Sequence, residues 1–260
     1  MSLSYCTLAS GSSGNASLIR AGEDAVLLDC GLTGKKLWAA MEELTLDPSH
    51  IRAILVTHEH SDHCKGVGVA ARKLGVPVYA TKGTWKGMLR RVEPLQREQM
   101  KRVIPGDPFA VGRLSIDAFP LSHDAWEPCG YRFSDGVHSV GFLTDTGVVL
   151  PEALERIRQC TGLVLESNYD PEMLQRGSYP AFLKARIEGV LGHMSNQDCA
   201  CLMEELAGEK TRHVLLAHLS QDNNHPELAL REMKARMSGA VGLEISVAPR
   251  YRSHPLICFD

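Results

Sequence analysis

Three imidazoles and two carboxylates crowd into six residues of this chain, His58-Glu59-His60-Ser61-Asp62-His63, just after Thr57. The apolar, β-rich segment Ile54-Leu55-Val56 leads into it. His58 and His60 are two apart, so in extended chain they point to the same side. Asp62 and His63 open a helix predicted over Cys64 to Leu74, whose first turn favours the ionised Asp62. Two imidazoles suit zinc or iron, and a carboxylate with a further imidazole suits a second metal beside the first. The bland alternative is an exposed loop that happens to be rich in histidine.

Such ligands need strands to present them, and the chain supplies strands that stop at polar residues. Tyr5 to Ala9 and Ser17 to Arg20 read as strands around the loop Ser10-Gly11-Ser12-Ser13-Gly14-Asn15-Ala16. That loop is either a hairpin turn or a polar floor under metals, with Ser10 and Asn15 supporting ligands. As a phosphate nest it would lack the Gly-Lys-Ser/Thr of a P-loop. Ala25 to Leu28 is a buried strand ending at Asp29; a helix follows over Gly34 to Leu44. Val76 to Ala80 is a strand, with Pro77 suiting its edge or start. Thr81 to Arg102 reads as one polar helix carrying Lys82, Lys86, Arg90, Arg91, Arg97, Lys101 and Arg102. It is a solvated face or a phosphate-tracking ridge, with Lys82, Lys86, Arg90 and Arg91 as candidate substrate contacts.

Further strands run from Leu114 to Leu121, Val140 to Thr144, Leu163 to Glu166 and His213 to Ala217, ending at or near His123, Asp145, Glu166 and His218. Glu166 at a strand end is costly unless paired. Helices are predicted over Pro151 to Cys160, Gln197 to Ala207 and Glu227 to Met237, and the chain closes on one short strand, Gly242 to Ala248. With no low-complexity linker, residues 1–260 read as a single domain.

Composition narrows the choices. The chain has 260 residues, 44% hydrophobic and 23% charged, enough for a sizeable core. A net charge of −3 gives no global basic field, so any nucleic-acid contact must come from a local patch. The start, Met1 to Cys6, lacks the features of a secretory signal, and no apolar run is long enough to span a membrane. The expectation is a cytoplasmic protein with its eight cysteines reduced, and Cys199-Ala200-Cys201 in a helix core.

The HxHxDH run resembles the signature of the metallo-β-lactamase-fold hydrolase superfamily. Leu8-Ala9-Ser10-Gly11-Ser12-Ser13-Gly14-Asn15, Gly192-His193-Met194-Ser195-Asn196 and His218-Leu219-Ser220 extend the resemblance to its YycJ (WalJ) family. The resemblance implies an α/β fold, the αββα four-layer sandwich, with metals at one edge between the sheets. It implies that His58, His60 and His123 hold one metal and that Asp62, His63 and His218 hold the other, Asp145 bridging them beside a nucleophilic hydroxide. Asp29 would brace the histidine-rich loop. As in the phosphodiesterase branches, Glu166 would partner His193 as proton donor, making Asp62, His193 and Glu166 the candidate catalytic residues. The expected cofactors are two divalent metal ions, zinc first, with manganese or iron as substitutes.

The family is associated with 5′-to-3′ exonuclease activity on duplex DNA, so a DNA phosphodiester is the expected substrate, ahead of RNA. No membrane and no obligatory protein partner are expected. The alternative is a small-molecule acyl hydrolase, acting on a thioester or lactone as glyoxalase II does, because that branch shares all seven ligands. The spacing from Glu166 to His218 leaves no room for the β-CASP insertion of the RNase J branch.

Overall fold

The computed structural model describes residues 2–206 and 210–260. Met1 and Ala207, the predicted end of a helix, lie outside them. One sheet contains β1 (Leu3–Ala9), β2 (Ala16–Ala21), β3 (Asp24–Leu28), β4 (Ile51–Leu55), β5 (Val78–Ala80) and β6 (Met100–Arg102). The other contains β7 (Phe109–Val111), β8 (Leu114–Pro120), β9 (Cys129–Ser134), β10 (Ser139–Leu143), β11 (Gly162–Glu166), β12 (His213–Ala217) and β13 (Glu244–Val247). The strand β14 (Ile257–Phe259) then returns to the first sheet, antiparallel to β1.

Each sheet begins as an antiparallel meander and continues as parallel strands joined through helices. In the first half these are α1 (Gly34–Glu43), α2 (Ser61–Cys64), α3 (Val67–Leu74) and α4 (Lys82–Val92). In the second they are α5 (Pro151–Ile157), α6 (Pro171–Arg176), α7 (Ala181–Glu188), α8 (Asn196–Leu206) and α9 (Pro226–Arg236).

The strand period of two sorts side chains into three apolar layers. Along β1, Leu3 and Tyr5 enter the layer between the sheets, with Val26, Phe133, Phe142 and Leu215. Cys6 and Leu8 turn the other way, toward Leu37, Met41, Val67 and Met88 of α1, α3 and α4. The second sheet packs its outer face on Ile157, Cys199, Met203 and Met233 of α5, α8 and α9. Helix, sheet, sheet, helix is the αββα sandwich expected from the sequence.

Several elements depart from expectation. The predicted Cys64–Leu74 helix is two pieces, because the backbone at Gly66 docks on the loop after β3: its N–H donates to Cys30 O at 2.8 Å, and a Cβ would meet Leu32 O at 2.0 Å. The basic helix stops at Val92, since Glu93 precedes Pro94 and that position disfavours helix. Arg97 then lies in a 3₁₀ turn, and Lys101 and Arg102 on the edge strand β6. The chain does not close on a single strand, because β14 follows β13. All eight cysteines are free, but only Cys199 of the close pair is buried; Cys201 is exposed.

Candidate metal centre

The carboxyl ends of β3, β4, β8, β10, β11 and β12 open on one edge of the sandwich, and they bear Asp29, the His58–His63 run, His123, Asp145, Glu166 and His218. Because β10, β11 and β12 are parallel neighbours, Asp145, Glu166 and His218 arrive side by side. The loops after β1 and β3 lock the histidine-rich turn through their backbones. Asn15 N–H donates to Asp62 O, Gly31 N–H to Asn15 O and Cys30 N–H to His63 O, at 2.7, 2.7 and 2.8 Å. Gly31 is required there, since a Cβ would stand 1.5 Å from Asp62 O. Asp29, Asp145 and His218 leave their strands in the left-handed region, at φ 60°, 61° and 55°.

Hydrogen bonds aim each ring. Thr57 Oγ–H donates to Asp29 Oδ2 at 2.9 Å and Thr57 N–H to Asp29 Oδ1 at 2.8 Å. The Thr57 hydroxyl in turn receives His58 Nδ1–H at 3.0 Å, and Asp29 Oδ2 receives His63 Nδ1–H at 2.8 Å. Gly192 O receives His123 Nδ1–H at 3.1 Å, and Glu166 Oε1 receives His218 Nδ1–H at 3.0 Å. In all four rings Nε2 is thereby left as a lone-pair donor for a cation. His58 Nε2 and His123 Nε2 approach His60 Nδ1 to 3.0 and 3.3 Å. Tetrahedral zinc with Zn–N of about 2.0–2.1 Å sets its nitrogens roughly 3.3 Å apart, so this trio fits an ion.

A second group forms around Asp145. His63 Nε2 lies 3.3 Å from Asp145 Oδ2 and 3.5 Å from Asp62 Oδ2; His218 Nε2 lies 3.7 Å from Asp62 Oδ2. Asp145 Oδ2 and His218 Nε2 are buried without any hydrogen-bond partner, a costly state that a bound cation relieves. Burial lowers the His63 pKa, but the Asp145 and Asp29 carboxylates reverse this and carry it to about 9; a cation supplies the same positive charge. Burial, reinforced by the neighbouring imidazoles, drives His58 well below its ordinary value and keeps it neutral. The residues therefore fit divalent metal.

Glu166 serves two rings. Besides His218, its Oε1 lies 2.7 Å from His193 Nδ1, while Oε2 accepts Thr146 N–H and Met194 N–H. Burial opposes its charge, yet His193 and His218 hold its carboxyl below the usual range. Burial also presses on His193, and Glu166 outweighs it, raising that pKa. Glu166 thus supports a ligand candidate, His218, and pairs with His193 through the same oxygen.

The other predicted residues sort as follows. Ser10 Oγ accepts His218 N–H at 2.8 Å, and Asn15 Nδ2 lies 2.9 Å from His63 Nε2. Lys82, Lys86, Arg90 and Arg91 do not line the cavity over the cluster. Lys86 Nζ sits 4.0 Å over the Trp126 ring, and Arg91 donates to Glu59 O. Sequence reasoning missed Thr57, whose place directly before the motif was a usable signal. It also missed Asp124 and Arg186, which carry no such signal. The cavity, about 210 Å³, is lined by the cluster together with Ser12, Asp124, Leu183, Arg186, Ile187 and His193.

An αββα sandwich with a His/Asp cluster at the strand ends is the architecture of a metal-dependent hydrolase, and a family model described as the Beta-lactamase superfamily domain matches residues 24–219. Exodeoxyribonuclease YycJ of Bacillus anthracis is 41% identical over 229 residues, covering 88% of this chain and 87% of that protein. Exodeoxyribonuclease WalJ of Streptococcus pneumoniae serotype 2 (strain D39 / NCTC 7466) is 40% identical over 251 residues, 94% and 92% of the two chains. The crystal structure of the metallo-beta-lactamase fold protein YhfI from Bacillus subtilis matches with a TM-score of 0.74 at 17% identity, over 98% of this chain and 99% of that one. The chain belongs to the YycJ (WalJ) family of the metallo-β-lactamase superfamily.

Proposed function

We propose that this hydrolase is a DNA exonuclease that degrades duplex DNA from 5′ to 3′ with two divalent cations, acting in the cytoplasm as a single domain. The observation that carries it is the Glu166–His193 pair, set 2.7 Å apart beside the cluster. The YycJ and WalJ relatives, matched over most of their length, are named exodeoxyribonucleases. A cavity of about 210 Å³ falls below the roughly 300–1,000 Å³ of sites that enclose a whole small ligand. It suits one end of a larger substrate.

In this reading His58, His60 and His123 would hold one cation and Asp62, His63 and His218 the other, with Asp145 available to both. Zinc suits the donors best, with manganese or iron as substitutes. Bound, the cations acidify water and offset negative charge at the attacked phosphorus. Asp29 and Thr57 keep His63 and His58 in the tautomers that face the cations. His193, bonded through Nδ1 to Glu166, has Nε2 left to protonate the departing oxygen. Glu166 keeps that ring charged and oriented.

The test is metal-supplemented hydrolysis of end-labelled duplex DNA, with single-stranded DNA, RNA and a thioester in parallel and Asp145→Ala as the inactive control. Stepwise shortening from the 5′ end, absent in the control, is the expected result. Thioester turnover without nucleic-acid cleavage, under zinc or manganese, would refute it.

A further inference from the structure

Helix α7 buries none of its residues, although its Leu183, Arg186 and Ile187 line the cavity over the cluster. A surface helix normally sits where its apolar stripe finds a core, so this one must be held otherwise. Polar contacts tie it to α6: Lys184 Nζ donates to Gln175 O at 2.6 Å and Gln175 Nε2 to Glu188 Oε1 at 2.7 Å. Toward the cluster it offers Arg186, whose Nε donates to Asp124 Oδ2 at 2.8 Å and whose Nη2 donates to the same oxygen.

That pairing is lopsided. A guanidinium fork matches two oxygens of a carboxylate or phosphate, yet here both N–H groups share one. Asp124 Oδ1 is buried with no hydrogen-bond partner, 3.5 Å from His123 Nε2 and 3.7 Å from His60 Nε2. One end of Asp124 thus belongs to the cluster and the other to α7. The arginine's side chain stays 62% exposed. The fork is incompletely used, accessible, and directed at the rim of the site.

We propose that Arg186 binds a phosphate of the nucleic-acid substrate at the cavity mouth, and that Asp124 is the carboxylate this phosphate displaces. The proposal rests on the phosphodiesterase reading and adds a substrate-positioning residue to it. Phosphate offers the fork two oxygens where Asp124 offers one, and the exposed arginine can be reached without opening a buried face of α7. Asp124, released, is left to accept from His60 Nε2.

The experiment uses the zinc-saturated protein, titrated calorimetrically with inorganic phosphate, and steady-state kinetics on 5′-phosphorylated duplex DNA. Arg186→Ala is expected to weaken phosphate binding and raise KM by about tenfold, the loss of one charged hydrogen-bonding group, with a smaller change in kcat. Arg186→Lys should recover part of both. Asp124→Asn removes the competitor and should strengthen phosphate binding. A pair that only fastens α7 predicts that Arg186→Ala and Asp124→Asn act in the same direction. That result, or unchanged phosphate affinity in Arg186→Ala, overturns the proposal. If the wild type leaves DNA intact while phosphate affinity still moves in opposite directions in the two variants, the nuclease reading falls and the phosphate site stands.

Discussion

Replacing Asp29 by Asn separates the carboxylate's role from every other property of the position. Asparagine is nearly the same size and tolerates the left-handed backbone that residue 29 adopts at φ 60°. The carboxylate accepts three N–H or O–H groups, from Thr57 N, Thr57 Oγ and His63 Nδ1, all within 2.9 Å. An amide can accept on one side only. With its oxygen on Thr57 N–H, its NH2 faces His63 Nδ1–H, and the ring must move its proton to Nε2, the nitrogen a cation needs. Turned round, the amide faces Thr57 N–H and leaves buried donors opposed, at about 1–3 kcal/mol of folding stability. The expected outcome is a 10- to 100-fold loss of zinc affinity, the usual result of losing a group that orients a ligand, or about 1.4–2.7 kcal/mol. Competition against a chromophoric zinc chelator reads it directly, with circular dichroism checking the fold. Zinc affinity within twofold of wild type would show that Asp29 does not set the His63 tautomer.

His193 should act protonated, so activity should fall as pH rises through its pKa, which Glu166 raises; Glu166→Gln should move that alkaline limb to lower pH, and an unmoved limb would remove His193 as the acid. His213, buried between Tyr5 Oη at 2.7 Å and Ser246 Oγ at 2.9 Å, has its pKa pushed down by burial to about 4. Since the unfolded chain binds that proton first, its contribution is whole above about pH 6.5 and is lost progressively down to pH 4, by about 3 kcal/mol. Urea unfolding at pH 7.5 and 4.5 should show a larger drop for wild type than for His213→Leu. Gly31→Ala should destabilise by at least ~2 kcal/mol because its Cβ strikes the backbone at Asp62. Gly75→Ala, left-handed but in open space, should cost only about 1–2 kcal/mol in thermal unfolding.

The sandwich and the cluster were readable because both are written in strong local signals. Buried strands appear as apolar runs, and the ligand candidates stand where those runs stop. What escaped is what lacks a pattern. Helix α7 has no buried stripe, so no periodicity announced it. The strands β6, β7 and β14 are three residues long and exist through their neighbours. The basic run reads as one helix through Pro94 because its charge hides the break at Val92. Asp124 and Arg186, 62 positions apart, are joined only by the fold.

Three of the five non-glycine residues with positive φ among the described residues are Asp29, Asp145 and His218. Such backbones cost of order 1–3 kcal/mol each, and the surrounding sheets must overrule that preference. Heat resistance and chemistry therefore pull against one another at these positions. A laboratory lineage selected on melting temperature alone would be under pressure to relieve that strain, and any glycine that relieved it at Asp145 or His218 would discard the site. Selection for a tougher catalyst has to look elsewhere, in the apolar layers and the helix ends, and keep these three awkward turns intact.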